Sequence, residues 1–320
     1  MLLAEMNFLN NEDIKMAREL LKQAFDTTNG WIYDTSSYAK AVAPAKYDEM
    51  VKSFEEKNLI VASLGEQYDF RQPGRTWTVT IDAEPGSAAA VVAETDAVSY
   101  TAITNRQVTF SPSTKYAAYQ ASYEQMQDGF LNFMENASKK IGYQLSWKKD
   151  SLAVSTIIAG ATTTKYANSK SLATDLNSTD VFSRELVLEG RKVVGKYYYN
   201  PSELVIGRDQ EADLLNEGSI YKANEFGTRS AISNGLIGNL YGVQIYVSDL
   251  IVASSNVAKG FLMGRSGSDE AAFGVAVAQD PMMETKRDIE YRQQKVVGTE
   301  RYDIKVIHPN AICVLGSYVA

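Results

Sequence analysis

The residues able to do covalent chemistry are few. The chain holds one cysteine, Cys313, and one histidine, His308. A thiolate nucleophile needs a cationic or basic neighbour to lower its pKa. His308 is close in sequence, but residues so placed on neighbouring strands of a turn rarely converge with a third orienting group. His308 before Pro309 reads as an extended or turn residue. Cys313 lies in the apolar run Ala311-Ile312-Cys313-Val314-Leu315, which suits a small buried apolar role. One cysteine makes no intrachain disulfide, and one Cys with one His makes no zinc site of the usual kind. The HExxH, CxxC and GxSxG patterns are absent, as are GxGxxG after a strand and GxxxxGK[ST]. Gly264-Arg265-Ser266-Gly267 leads into Ser268-Asp269-Glu270, whose acid groups would repel a phosphate.

Acid pairs are what remains. Asp209 and Glu211 lie near Asp213, and Asp269 adjoins Glu270. Glycosidases place two carboxyl groups across a cleft. Among 39 acidic residues such neighbours arise by chance, and most acid clusters are solvated faces. The expectation is therefore no catalytic residue, no cofactor and no metal. The run Glu284-Thr-Lys-Arg-Asp-Ile-Glu-Tyr-Arg292 is more informative. Read as a strand, it carries charge on both faces, which a buried central strand would not tolerate. Arg287, Asp288, Glu290 and Arg292 then fit an exposed strand that guards an edge or pairs across an interface between subunits.

The bulk numbers narrow the class. A chain of 320 residues makes one large domain or two modest ones. A net charge of -7 and a pI near 5.0 argue against a protein that grips nucleic acid, because such proteins neutralise phosphates with Lys and Arg. A container for DNA need only avoid sticking to it. No apolar stretch approaches the ~20 residues of a membrane span. Glu5 and Asn7 interrupt any signal-peptide pattern. The expectation is a soluble protein made in the cytoplasm, with no membrane partner. The 19 tyrosines lean toward wet, partly apolar surfaces such as subunit interfaces.

The elements that must position these groups read as α+β. Residues 11–25 carry Ile14, Ala17, Leu20, Leu21 and Phe25 at helical spacing. A second helix is expected after Pro44, through Tyr47, Met50, Val51 and Phe54. Arg75-Thr-Trp-Thr-Val-Thr-Ile81 alternates strictly, with Trp77, Val79 and Ile81 on one face and threonines on the other. That is a half-buried strand. Asp82-Ala-Glu-Pro-Gly86 is turn chemistry, Ala88 to Ala93 is a short apolar run, and Asn105–Phe110 offers a return strand with Val108 and Phe110 alternating. An isolated hairpin is marginal in water, so if this one projects it must lean on something, and another copy of the chain is an obvious candidate. One long helix is expected from Phe130 to about Ala159, with Gly142 as a point where it could bend. Residues 161–179 read as a polar loop. Asp180 is placed as the cap of a helix carrying Val181, Phe182, Leu186, Val187, Val193 and Val194. Strands are expected at Glu203–Ile206, Tyr241–Val247, Gly260–Gly264, Phe273–Gln279, Glu284–Val297, Tyr302–Ile307 and Ala311–Leu315, with a short helix at Gln210–Asn216.

Four of these stretches, in this order, carry a resemblance. Arg75 to Tyr119 resembles an extended loop leading into a peripheral domain. Phe130 to Gly160 resembles a long spine helix. Asn234 to Ile251 is similar to a stretch of an axial domain, and Phe273 to Leu315 resembles a closing pattern of apolar strand, Asp-Pro, charged strand, aromatic-containing strand and Pro-Asn-Ala. The family is that of the major capsid proteins of tailed double-stranded DNA viruses, with the Hong Kong 97 fold. The resemblance covers roughly residues 66–160 and 200–318, and no single motif in it is highly specific.

The resemblance implies an N-terminal arm at 1–65 and an extended hairpin loop at 66–111. It implies a peripheral domain at 112–165 and 281–305, and an axial domain at 166–280 and 306–320. It implies copies assembling as hexamers and pentamers into an icosahedral shell in the virion around packaged double-stranded DNA. Portal and possible scaffolding or decoration proteins would be further partners. Trp77, Val79, Ile81, Val108 and Phe110, with Arg287, Asp288, Glu290 and Arg292, are the expected contacts between subunits. Many family members begin with a removable scaffolding segment. This chain starts at Met1 almost directly on the arm, and the expectation is that it has no fused scaffold. Two other readings stand beside this one: an encapsulin-like compartment for enzymes, and a small-molecule hydrolase using carboxylates in the 161–270 module.

Overall fold

The computed structural model describes residues 37–71, 74–82, 105–128, 133–216, 239–264 and 271–319, with side chains from 47 onward. The chain divides into two compact units, Met1–Lys46 and Tyr47–Ala320. The expected helix at 11–25 and the apolar run Ala88 to Ala93 lie outside the described residues.

Helix α1 (Ser37–Asn58) starts earlier than its sequence suggests and runs through Pro44. Helix α2 (Tyr123–Asp128) is short. The spine, α3 (Phe133–Gly160), is unbroken over 28 residues. It buries Ala137, Ile141, Leu145, Ala153, Val154 and Ile157, a helical-period stripe. Gly142 does not bend it. A Cβ there would lie 2.8 Å from the Val51 carbonyl oxygen, so the glycine is where α1 crosses.

Two sheets share this spine. The first has the order β1-β10-β11-β4, from β1 (Glu66–Asp69), β4 (Ser113–Ser122), β10 (Phe273–Asp288) and β11 (Gln293–Val306). β10 and β11 are one long antiparallel hairpin, and β1 joins β10 in parallel. Along β11, Val296, Gly298, Glu300, Tyr302 and Ile304 all face inward. Ile141, Leu145, Ala137, Val51, Ala117, Met283 and Val296 form one apolar cluster against the spine.

The second sheet has the order β5-β12-β9-β6-β8-β7. Its strands are β5 (Thr163–Tyr166), β6 (Pro201–Ile206), β7 (Asn239–Leu240), β8 (Val243–Val247), β9 (Val257–Gly264) and β12 (Ile312–Tyr318). Helix α4 (Arg184–Lys196) lays Leu186, Val187 and Val194 on it, and α5 (Arg208–Asn216) flanks it with Leu214. The far half of the spine joins this larger core through Ala153, Val154 and Ile157.

Three expectations need correction. Residues 161–179 are not all loop, because β5 pairs in parallel with β12. Asp180 does not cap α4, whose N-cap is Ser183. Asp180 instead accepts from the Asn177 backbone N–H at 2.9 Å and the Asn168 amide at 2.6 Å. The stretch Glu284–Val297 is not one strand: it holds the reversal between β10 and β11, with Arg292 at φ 49°. The pause after Gln279 is a bulge around Asp280 and Pro281 in a continuous β10, where a proline does no harm to the ladder.

Candidate functional site

The hairpin of β2 (Trp77–Asp82) and β3 (Asn105–Phe110) pairs with no other strand among the described residues. Its register sets Trp77 against Phe110, Val79 against Val108 and Ile81 against Arg106. On the opposite face the Thr78 and Thr109 hydroxyls meet at 3.1 Å. The base is pinned by aromatic rings. Trp77 meets Tyr68 edge-on at 5.2 Å and stacks on Phe70 at 5.7 Å, while Phe110 lies 5.8 Å from Tyr68. Such pairs add about 0.5–1.5 kcal/mol beyond their buried area. Two polar contacts fix the exit from β3: the Ser111 N–H donates to Asp303 at 2.8 Å, and the Arg301 guanidinium donates to the Pro112 carbonyl at 3.1 Å.

Phe110 is fully buried by its own subunit. It serves as an anchor within the chain and has no surface left to offer a partner. Trp77, Val79, Ile81 and Val108 are half-buried, so part of their apolar face stays open.

The charged run ends in the β10–β11 turn. Arg287 lies on the Tyr123 ring, 4.7 Å from its centroid. Asp288 pairs with Lys295 at 2.7 Å and accepts from the Tyr291 N–H. Arg292 sits 3.9 Å from Glu124. These three have partners inside the subunit, yet Arg287 and Arg292 remain exposed, as does Glu290. The groups that sequence reading passed over are the apolar ones between them: Ile289 is 80% exposed and Tyr291 68%. Their signal was an isoleucine and a tyrosine in an otherwise charged turn.

A second feature went unnoticed. Lys149 on α3 donates to Glu55 on α1 at 2.9 Å and to Glu300 on β11. All three are almost wholly buried, and the Lys149 ammonium lies 5.0 Å from the Tyr302 ring centroid. Burial opposes the Lys149 charge, yet Glu300 and Glu55 outweigh it and raise its pKa. Next to it, the Asp150 carboxylate accepts the backbone N–H groups of Ile60 at 2.8 Å and Ala62 at 2.7 Å. The signal was parity: Lys149 is one helical turn past Leu145, and Glu300 shares a strand face with Gly298 and Tyr302.

Cys313 is fully buried, and burial pushes its thiol up to about 12. His308 faces the Tyr199 hydroxyl at 3.1 Å. Asp213 accepts the Phe182 N–H at 3.2 Å, and Asp209 is exposed. Among the described residues no group of three His, Cys, Asp or Glu converges as a metal would need. Also among them, no helix is long and apolar enough to cross a membrane.

The family model for phage capsid protein matches residues 104–315. The chain belongs to the phage capsid protein family. The capsid subunit has the Hong Kong 97 fold, seen in solved structures at low identity. A chain from Mycobacterium phage Che8 matches with TM-score 0.59 and 15% identity, over 76% of this chain and 85% of that one. The capsid of Cyanophage P-SCSP1u matches with TM-score 0.60 and 14% identity, over 80% and 86%. A virus-like particle from Pyrococcus furiosus matches with TM-score 0.57 and 15% identity, over 85% and 99%. No curated protein matches by sequence. Family and fold are those of structural shell proteins rather than enzymes. The family makes the chain a capsid component of a phage virion.

Proposed function

We propose that the subunit assembles as hexamers and pentamers into an icosahedral shell that encloses double-stranded DNA. The observation that carries this is the β2–β3 hairpin. It is pinned at one end by Trp77 and Phe110, and its Val79, Ile81 and Val108 face is left half open. In a chain of the capsid family, a neighbouring subunit is the surface able to cover that face. Trp77, Val79, Ile81 and Val108 would be contacts of the hairpin, and Glu290 with the outer edges of Arg287, Asp288 and Arg292 would be contacts of the turn. The arm would be 1–65 and the extended loop 66–111. The peripheral domain would hold the spine and the long hairpin, and the axial domain the six-stranded sheet. The net charge of -7 suits an enclosing wall that does not adhere to DNA. Portal, scaffolding and decoration proteins would complete the particle, and assembly would occur in the host cytoplasm.

Electron microscopy of the expressed protein tests this reading. Closed shells, or rings of five and six, are expected, and a monodisperse monomer at high concentration would refute it. The likeness to the Pyrococcus furiosus particle favours a second reading, a protein compartment. Genome-length DNA in purified particles supports the virus; enzyme cargo supports the compartment.

A further inference from the structure

Glu55, Lys149 and Glu300 form a buried cluster with an unequal charge count. Two carboxyl groups meet on one ammonium: Lys149 donates to the Oε1 atoms of both Glu55 and Glu300. Their side chains are 2% and 0% exposed. The remaining oxygens, Glu55 Oε2 and Glu300 Oε2, are shut off from solvent and have no donor. The Tyr302 hydroxyl is buried and equally unpartnered.

Two ionised carboxylates against a single ammonium, with two oxygens unsatisfied, is a costly arrangement in an apolar interior. Among the described residues no donor reaches those oxygens, and they are closed off from solvent, so whatever balances them has to be small. A proton is small enough. It would neutralise the surplus charge and give one carboxyl a donor for the other, as in paired acids that cannot both ionise at close range.

We propose that Glu55 and Glu300 hold one shared proton in the folded subunit, and that its loss in mildly alkaline solution loosens α1 from the spine helix and the long β-hairpin. The three residues sit on three elements, α1, α3 and β11, so the cluster is a tie between them. The other charged groups around it do not supply the missing charge. Asp150 on α3 is itself acidic, and its carboxylate is held by the backbone at Ile60 and Ala62. Lys52 and Glu56 on α1, Tyr68, Asp69 and Arg71 beyond it, and Asp280 on β10 line the same pocket of about 430 Å³. There Arg71 and Lys52 are paired with Asp280. Burial and the adjacent acids keep the Tyr302 phenol protonated. Burial lifts the Glu300 carboxyl to about 8, against the pull of Lys149 and with a further push from Glu55. The proton belongs to the pair rather than to either residue.

The sign follows from linkage. The folded subunit holds a proton that the unfolded chain, with an ordinary glutamate at 4.5, has released. Stability therefore falls as pH rises from the ordinary glutamate range through about 8.

The test uses the full chain as unassembled subunits. Thermal melting is followed between about pH 6 and pH 9.5 for the natural chain, Glu300→Gln and Glu55→Gln. An amide supplies the N–H that the proton otherwise provides, so the natural chain should lose melting temperature across that window while either variant stays flat. Hydrogen exchange of the natural chain should quicken in the helical segment around Glu55 over the same range, and a protonated-carboxyl infrared band should be present at neutral pH and vanish above the transition. If neither variant folds, the exchange and infrared readings on the natural chain decide alone. Equal slopes in natural and variant chains overturn the proposal, as does a neutral-pH spectrum without the carboxylic acid band.

Discussion

Gly142 and Val51 meet almost backbone to backbone: a Cβ on the glycine would lie 2.8 Å from the Val51 carbonyl oxygen and 2.8 Å from the Phe54 Cβ. Helix propensity favours alanine over glycine by ~1 kcal/mol, so the two effects oppose each other. The carbonyl cannot step aside without moving α1. Gly142→Ala should therefore destabilise the subunit, with overpacking of about 1–3 kcal/mol exceeding the propensity gain. Denaturant unfolding of unassembled subunits checks this. A variant that unfolds later than the natural chain would show that the helices do not cross at this glycine.

The hairpin separates folding from assembly. Phe110 is an internal anchor, and Phe110→Ala should cost about 3–5 kcal/mol of stability. Val79 and Ile81 are only half-buried. Val79→Asp with Ile81→Asp should leave a folded, soluble subunit that fails to close shells. Circular dichroism and particle counts by electron microscopy read the two effects apart. Normal shells from the double aspartate variant would mean that no neighbour covers this face.

At the β10–β11 turn, Ile289 is 80% exposed and Tyr291 68%, with only the Lys295 ammonium over the tyrosine ring among the ring contacts of the described residues. Ile289→Asp with Tyr291→Asp should shift stability by no more than ~0.5 kcal/mol per site, as at an ordinary surface position. Assembly yield should nevertheless fall. Sedimentation of assembly mixtures distinguishes this from a turn that touches nothing, which would leave the yield unchanged.

Cys313 is sealed in the six-stranded sheet, and its thiol is pushed up to about 12. The thiolate is the reactive form. Native subunits should resist alkylation at pH 8, whereas urea-unfolded chains should be labelled fully. Rapid labelling of the native protein would place the thiol at the surface.

Most of the architecture was legible in the sequence because period and parity were undisturbed. Threonine alternation gave β2, and apolar spacing gave α3. What was missed came from long-range contacts. Nothing local to Gly142 announces a crossing helix, so the residue reads as a weak point. The Arg292 backbone turns at φ 49° with no glycine to mark it, and the hairpin there read as one strand. Lys149 and Glu300 were in phase with their buried faces, but a charge in phase looks like an interruption until its partner on another element is known. Phe110 and Val108 alternate alike, and only the rings of Tyr68 and Trp77 decide which of them is closed off.

The order β1-β10-β11-β4 also has a consequence for timing. Among the described residues both early strands find their sheet partners in the β10–β11 hairpin: β4 ends at Ser122, and β11 begins at Gln293. At a ribosome's pace of 5–20 residues per second, β4 waits roughly 10–35 s for its neighbour. Until then the sheet that carries the spine has two unpaired edges and no middle. A chain whose synthesis has not yet passed Val306 therefore cannot present a finished subunit to a growing shell.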